Sequence, residues 1–228
     1  MRLSFLCCIR RATVSLQLGE ETRLHTIPKL IAGYRAFRET AYNQHAKLYE
    51  QLGDGQSPEV MVIGCADSRA EPSEIFNAVP GELFVVRNVA NLVPPFDESG
   101  GLHGVSAALE FAVTSLRVKH IVVLGHCSCG GVKASLSAAE GKPVGRFIAP
   151  WVGLLDPARD AVLESEPSDP QTQLELAGIV ASLQNLISFP FVKSAVDAGD
   201  LILHGCWFDI ADGALHWRDK KTGNFQKI

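Results

Sequence analysis

Val60-Met61-Val62-Ile63-Gly64-Cys65-Ala66-Asp67-Ser68-Arg69 and, further on, Ile121-Val122-Val123-Leu124-Gly125-His126-Cys127-Ser128-Cys129-Gly130-Gly131 decide how this chain is read. Each stretch opens with an apolar, mostly β-branched run that ends at glycine, which reads as a buried strand of a parallel sheet. Cys65 and the His126–Gly131 cluster then leave the carboxyl ends of their strands, where open α/β sheets place ligands. Cys65, His126 and Cys129 form a soft sulfur–nitrogen–sulfur set suited to Zn²⁺. Three protein ligands leave the fourth position open, as a catalytic zinc requires.

Working outward, the remaining segments alternate in the way a parallel sheet with right-handed crossovers demands. Pro28 to about Gln44 reads as a helix opened by proline. A short helix at Pro72–Asn77, a turn at Pro80-Gly81 and a strand from Glu82 to Arg87 follow the first cluster. After Gly100-Gly101, residues Leu102, Val105, Ala108, Leu109, Ala112, Val113 and Leu116 share one helical stripe. The third strand spans 120–125, and Gly130-Gly131 opens a helix to about Ala139. Helices are predicted at Phe147–Glu164, at Gln171–Ile187 and briefly after Pro190. Leu201–Ile210 and Ala214–Asp219 flank an Asp212-Gly213 turn as a hairpin. The expected fold class is α/β with a mainly parallel sheet and helices on both faces. Residues 27–228 read as a single domain, and 1–26 as an N-terminal extension without fixed structure.

The chain has 228 residues, 46% hydrophobic and 20% charged, with a net charge of -4. That balance carries no basic footprint for nucleic acid, and no apolar run approaches the roughly 18 residues that span a bilayer. Cysteines stand at 7, 8, 65, 127, 129 and 206. Three of them crowd the two clusters, which favours metal ligation over disulfides and a reducing, cytoplasmic setting. Arg2, Arg10 and Arg11 with no acid in 1–18 keep organelle targeting open as an alternative.

Within the clusters, Cys129 precedes a helix whose N-terminal polarity favours a thiolate, and Gly130 and Gly131 permit close backbone approach. Asp67 and Arg69, two apart on an extended segment, point the same way. If they pair, the carboxylate stays off the metal, free to accept a hydrogen bond from the reacting water. If Asp67 turns onto the zinc, the shell closes and Asp67 becomes a fourth ligand. Two thiolates make the metal less Lewis-acidic than three histidines, so activity is expected to rise toward alkaline pH. A closed structural zinc and a metal-free thiol pair are the bland alternatives. Cys127 and Cys206 read as small hydrophobes.

The clusters, together with Pro80-Gly81-Glu82-Leu83-Phe84-Val85-Val86-Arg87-Asn88-Val89-Ala90-Asn91 and His204-Gly205-Cys206-Trp207-Phe208-Asp209-Ile210, resemble the β-class carbonic anhydrases in the open-site, plant-like branch. The likeness runs from about Pro28 to Asp219. It implies one Zn²⁺ per chain on Cys65, His126 and Cys129, with zinc hydroxide attacking CO₂ to give bicarbonate and a proton. It implies Asp67 and Arg69 as the catalytic pair, and Gln56, Phe84, Val89 and Gly130 as substrate-binding residues, Gln56 reaching a neighbouring subunit. It also implies four parallel strands with an antiparallel edge strand, and a homodimer or higher homo-oligomer. Phe111 stands where many members carry tyrosine. Val62 stands where members with an inhibitory bicarbonate site carry tryptophan, which favours the open form. Hydrolysis of CS₂ or COS on the same zinc, and a catalytically silent zinc or bicarbonate-binding protein, are the alternatives. No histidine declares itself as proton shuttle; His103 is one candidate.

Overall fold

A computed structural model of the chain describes residues 27–101 and 103–228, so the extension at 1–26 and Leu102 of the apolar stripe lie outside the described residues. The chain divides into two compact units that meet at Glu50 and Gln51. In the first, the helix predicted from Pro28 is two helices, α1 (Ile27–Glu39) and α2 (Ala41–Gln44), followed by α3 (Ala46–Leu52), which runs into the second unit. The break falls at Thr40, whose hydroxyl donates to the Ala36 carbonyl at 2.7 Å, a back-bond that bends helices. Tyr42 and Tyr49 stack at 4.8 Å. No residue of α1 is buried.

The second unit is built on a six-stranded sheet in the order β2-β1-β3-β4-β5-β6. The strands are β1 (Val60–Cys65), β2 (Leu83–Asn88), β3 (His120–His126), β4 (Ile202–Asp209), β5 (Ala214–Arg218) and β6 (Phe225–Lys227). The first four in chain order are mutually parallel, and β5 and β6 are antiparallel. One antiparallel edge strand was expected; the second, β6, is three residues long, too short for a period-2 pattern to announce it. It is turned back by Asp219, whose Oδ1 accepts the Thr222 and Lys221 N–H groups at 2.7 and 3.0 Å.

Side chains alternate between the two faces, as strand geometry dictates. Met61, Ile63, Ile121 and Val123 pack beneath α5 (Gly104–Glu110), α9 (Pro170–Ser188) and α10 (Pro190–Ala198) through Leu109, Ile179, Leu186 and Val192. Val62, Val122, Leu124 and Cys206 face the other way, with Ile75 of the short α4 (Pro72–Ile75) and Phe76 against them. The stripe predicted to continue to Leu116 does so only after a change of winding. Leu116 N–H bonds the Phe111 carbonyl at 3.0 Å, so Phe111–Ser115 forms a wider π turn. The helix expected over Phe147–Glu164 is divided by a 3₁₀ turn at Gly153–Leu155 into α7 (Ile148–Val152) and α8 (Asp156–Glu164). Pro157 explains the restart, since proline fits a helix's first turn and not its interior. Among the described residues no single helix is long and apolar enough to cross a membrane.

α9 lies close on the sheet because two strand glycines admit it. A Cβ at Gly205 would come within 2.8 Å of Ile179 Cγ2, and one at Gly125 within 2.7 Å of Ile179 Cδ1. Gly205→Ala is therefore expected to lower the urea unfolding midpoint, with a loss of about 1–3 kcal/mol from overpacking. Ile179→Val keeps Cγ2 and should leave that loss in place, whereas beside Gly125→Ala, where it removes the clashing Cδ1, it should recover part of the loss.

Candidate metal centre and its family

β1 and β3 are neighbours, with Gly64 opposite Leu124, yet the chain runs from β1 to β2 on one side before returning to β3 on the other. The strand order reverses between them, and a crevice opens at their carboxyl ends. Cys65 ends β1 and His126 ends β3. Cys129 follows after Ser128, which adopts a left-handed conformation (φ 54°) that folds the loop back. The residues brought together are therefore Cys65, His126 and Cys129, all buried, with their ligand atoms within 4.8 Å of one another.

The donor set fits a tetrahedral metal. The two sulfurs are 3.9 Å apart, close to the ~3.8 Å that two Zn–S bonds of ~2.3 Å subtend at a tetrahedral centre. His126 Nδ1 lies 2.9 Å from the Cys127 carbonyl and donates to it. That bond leaves Nε2 as the lone-pair nitrogen. It is buried with no hydrogen-bond partner among the described residues, and such orphaned atoms call for an occupant. Within the sulfur pair, the hydrogen bond shared with Cys129 draws the Cys65 thiol below its usual range. The same bond, with burial, pushes Cys129 up. Burial opposes charge on His126, but the neighbouring Cys65 sulfur outweighs it and raises its pKa.

Asp67 is not among the ligands. Arg69 Nε reaches Asp67 Oδ1 at 2.9 Å, Arg69 Nη2 reaches Oδ2 at 2.7 Å, and the Arg69 backbone N–H adds a third bond at 3.0 Å. Arg69 Nη2 also reaches the Ser128 carbonyl at 3.3 Å, which joins the two clusters. The Arg69 hydrogen bonds hold the Asp67 carboxyl far below the usual carboxylate range against partial burial. Oδ2 nevertheless stands 3.9 Å from His126 Nε2, within reach of anything bound there.

The other residues singled out from sequence are more dispersed. Val89 packs against the Cys65–Cys129 cluster; its carbonyl accepts Trp151 Nε1 at 2.8 Å. Phe84 sits on β2 with its ring 5.9 Å from that of Phe111, which is half exposed. Gly130 starts α6 (Gly130–Ala139) in open space, and it is Gly131 that makes the close approach. A Cβ there would lie 2.6 Å from Val89 Cγ1. Gln56 and His103 are exposed. Cys127 turns away, its thiol donating to Asp209 Oδ1 at 3.6 Å. Cys206 is fully buried, and burial pushes its thiol up.

Arg87 was overlooked as a site residue. From the end of β2 it donates to the Cys65 carbonyl at 2.8 Å and the Asp67 carbonyl at 2.6 Å, and it pairs with Glu71. Its signal was a charge directly after the apolar run Leu83-Phe84-Val85-Val86.

This constellation matches a known family along most of the described sheet. A family model described as carbonic anhydrase matches residues 60–215. The chain belongs to the β-class carbonic anhydrases. It is 34% identical over 213 residues to β carbonic anhydrase 3 of Arabidopsis thaliana, covering 91% of this chain and 82% of that one. The solved structure of the β-carbonic anhydrase CcaA superposes with a TM-score of 0.83 at 32% identity, covering 88% of this chain and 91% of that one. A tetrameric β-carbonic anhydrase from Sordaria macrospora gives 0.74 at 29%, covering 87% and 98%. Enzymes of this family use zinc, and Cys65, His126 and Cys129 are placed as its site.

Because protons compete with the metal for both thiols and the imidazole, zinc affinity by chelator competition should fall steadily between about pH 8 and about pH 6. Cys129→Ser and His126→Ala should each lose stoichiometric zinc, whereas Asp67→Asn should retain one zinc per chain.

Proposed function

We propose that this chain catalyses the reversible hydration of CO₂ to bicarbonate and a proton, with Asp67 and Arg69 as its catalytic pair. The observation that carries the proposal is the Asp67 carboxylate, gripped by Arg69 on both oxygens beside the ligand cluster. Zinc held by Cys65, His126 and Cys129 supplies Lewis acidity. Asp67, ionised throughout the neutral range, accepts a hydrogen bond from the reacting water and turns its lone pair toward the substrate carbon. Arg69 keeps that carboxylate from becoming a ligand, since a two-pronged guanidinium bond is both strong and directional. Val89 gives CO₂ an apolar wall, suited to a molecule without a net dipole, while Phe84, opposite Met61 and four residues short of Cys65 along the sheet, is left to serve a neighbouring copy's site. The Gly130 N–H, at the positive end of α6, faces the oxygen on which charge develops. Carbon gains one oxygen, and the proton released leaves to solvent buffer.

The chain works as a homo-oligomer in this reading. Ile27, Leu30 and Tyr34 of α1 are more than half exposed, an apolar surface that association would cover, and a relative is described as tetrameric. Gln56, exposed in its loop, is available to a neighbouring copy.

Stopped-flow CO₂ hydration by the zinc-loaded protein tests the reaction. Turnover should rise toward alkaline pH, and Asp67→Asn should lower kcat about 10²–10⁴-fold with zinc retained. A zinc-bound wild-type chain without turnover at any pH overturns the assignment and brings CS₂ or COS hydrolysis forward. Sedimentation should show a dimer or larger species, and Leu30→Glu with Tyr34→Glu should shift it to a smaller one.

A further inference from the structure

We infer that Gln171 and Glu175 of α9 are positioning residues of the metal centre, a polar clamp that fixes the Cys129 backbone and thereby the placement of its sulfur. The inference rests on the zinc reading of Cys65, His126 and Cys129. Gln171 and Glu175 are four residues apart and so share one face of α9. Glu175 Oε1 accepts the Cys129 N–H at 2.9 Å, while Gln171 Nε2 donates to the Cys129 carbonyl at 3.1 Å. Gln171 Nε2 also bonds Glu175 Oε1 at 2.7 Å, which locks the two side chains together. Both backbone groups of the ligand residue are thus held from a helix more than forty positions away in sequence.

The third partner links the clamp to the sheet. Glu175 Oε2 accepts Trp207 Nε1 at 3.0 Å, and Trp207 belongs to β4, directly beside the strand that carries His126. The Cys129 sulfur is therefore referenced, through Glu175, to the same sheet that presents Cys65 and His126. Packing alone does not account for this arrangement. Glu175 is 3% exposed among Leu174, Gly178 and Ile179, and no lysine or arginine pairs with it among the described residues. A buried carboxylate without a cation is costly, and an apolar side chain would fill the space more cheaply. Its three hydrogen bonds all come from N–H donors, and one of those donors is a ligand's own backbone.

Glu175→Gln tests the clamp with almost no change of volume. A carboxamide offers one oxygen and one NH₂, so a donor must face either the Trp207 or the Cys129 N–H. Zinc affinity by chelator competition should fall about 10–100-fold. In the cobalt-substituted protein, the thiolate-to-cobalt charge-transfer bands should shift. Adding Trp207→Phe removes the opposing donor and should bring affinity partly back, a coupling that a purely structural role would not produce. A folded Glu175→Gln protein with wild-type zinc affinity and wild-type cobalt bands overturns the inference. Should Glu175→Gln fail to fold, Gln171→Ala decides: it removes the bond to the Cys129 carbonyl and the link to Glu175 while leaving Glu175 on the Cys129 N–H, is expected to cost several-fold in affinity, and overturns the clamp if affinity is unchanged. Wild-type protein that binds zinc without hydrating CO₂ sinks the proposed reaction alone, since chelator competition still reads the clamp; protein that takes up no zinc sinks both.

Discussion

The parallel pairing of β1 with β3 is the constraint on which the centre depends. Cys65 and the His126–Cys129 loop are distant in sequence, and only the Gly64–Leu124 register brings their ligand atoms within bonding distance of one ion. Strand side chains alternate with period two, so a slip of one residue would turn one half-site to the opposite face. The apolar residues around that register resist such a slip. Met61, Ile63, Ile121 and Val123 are fully buried on one face and Val62 on the other, and each would be misplaced by it. Core packing and ligand geometry are thus specified by the same set of residues.

A second constraint is competition for Asp67. A carboxylate near a divalent cation and two cysteines is itself a potential ligand, and coordination would remove the position that chemistry needs. Arg69 decides the contest, since it satisfies both oxygens and adds its own N–H. Arg87 supports the outcome from beneath by holding the Cys65 and Asp67 carbonyls, so the backbone that presents Asp67 cannot rotate freely toward the ligands. The open form is a property of two arginines as much as of the aspartate.

The strand-borne part of this architecture was legible in the sequence because it rests on short-range pattern. β-branched runs ending in glycine located β1 and β3, and the ligand residues follow those runs directly. What escaped depends on distant contacts or small local energies. The π turn at Phe111–Ser115 occurs within an unbroken apolar stripe, and the stripe does not encode its winding. The segment 147–164 was read as one helix, and only Pro157 hinted at the break. Both cluster glycines were read as making room for the backbone. The structure separates them, because only the Cβ space at Gly131 is taken, by Val89 and Ala90. Glu175 was concealed by its neighbours: on a helix read for its apolar face, a single acid looks like a solvated interruption. Its spacing from Gln171 was the available signal, since two hydrogen-bonding side chains four apart on the buried side need partners.

These observations also separate the parts of the centre that must be stiff from the part that meets solvent. Cys65, Cys129 and His126 are at most 5% exposed, and each has its backbone or ring tied to a different element. Arg87 of β2 holds the Cys65 carbonyl, α9 holds Cys129, and the His126 ring is held by the Cys127 carbonyl. The Arg69 side chain, by contrast, is half exposed, so its bond to Asp67 is screened by water and its strength comes from geometry more than from burial. With the Asp67 carboxyl held far below its usual range, its charge does not change as the solution passes through neutrality. Any rise of turnover toward alkaline pH must therefore originate at the ligand cluster and not in the Asp67–Arg69 pair. In the proposed reaction, the stiff region sets the acidity and the exposed pair sets direction.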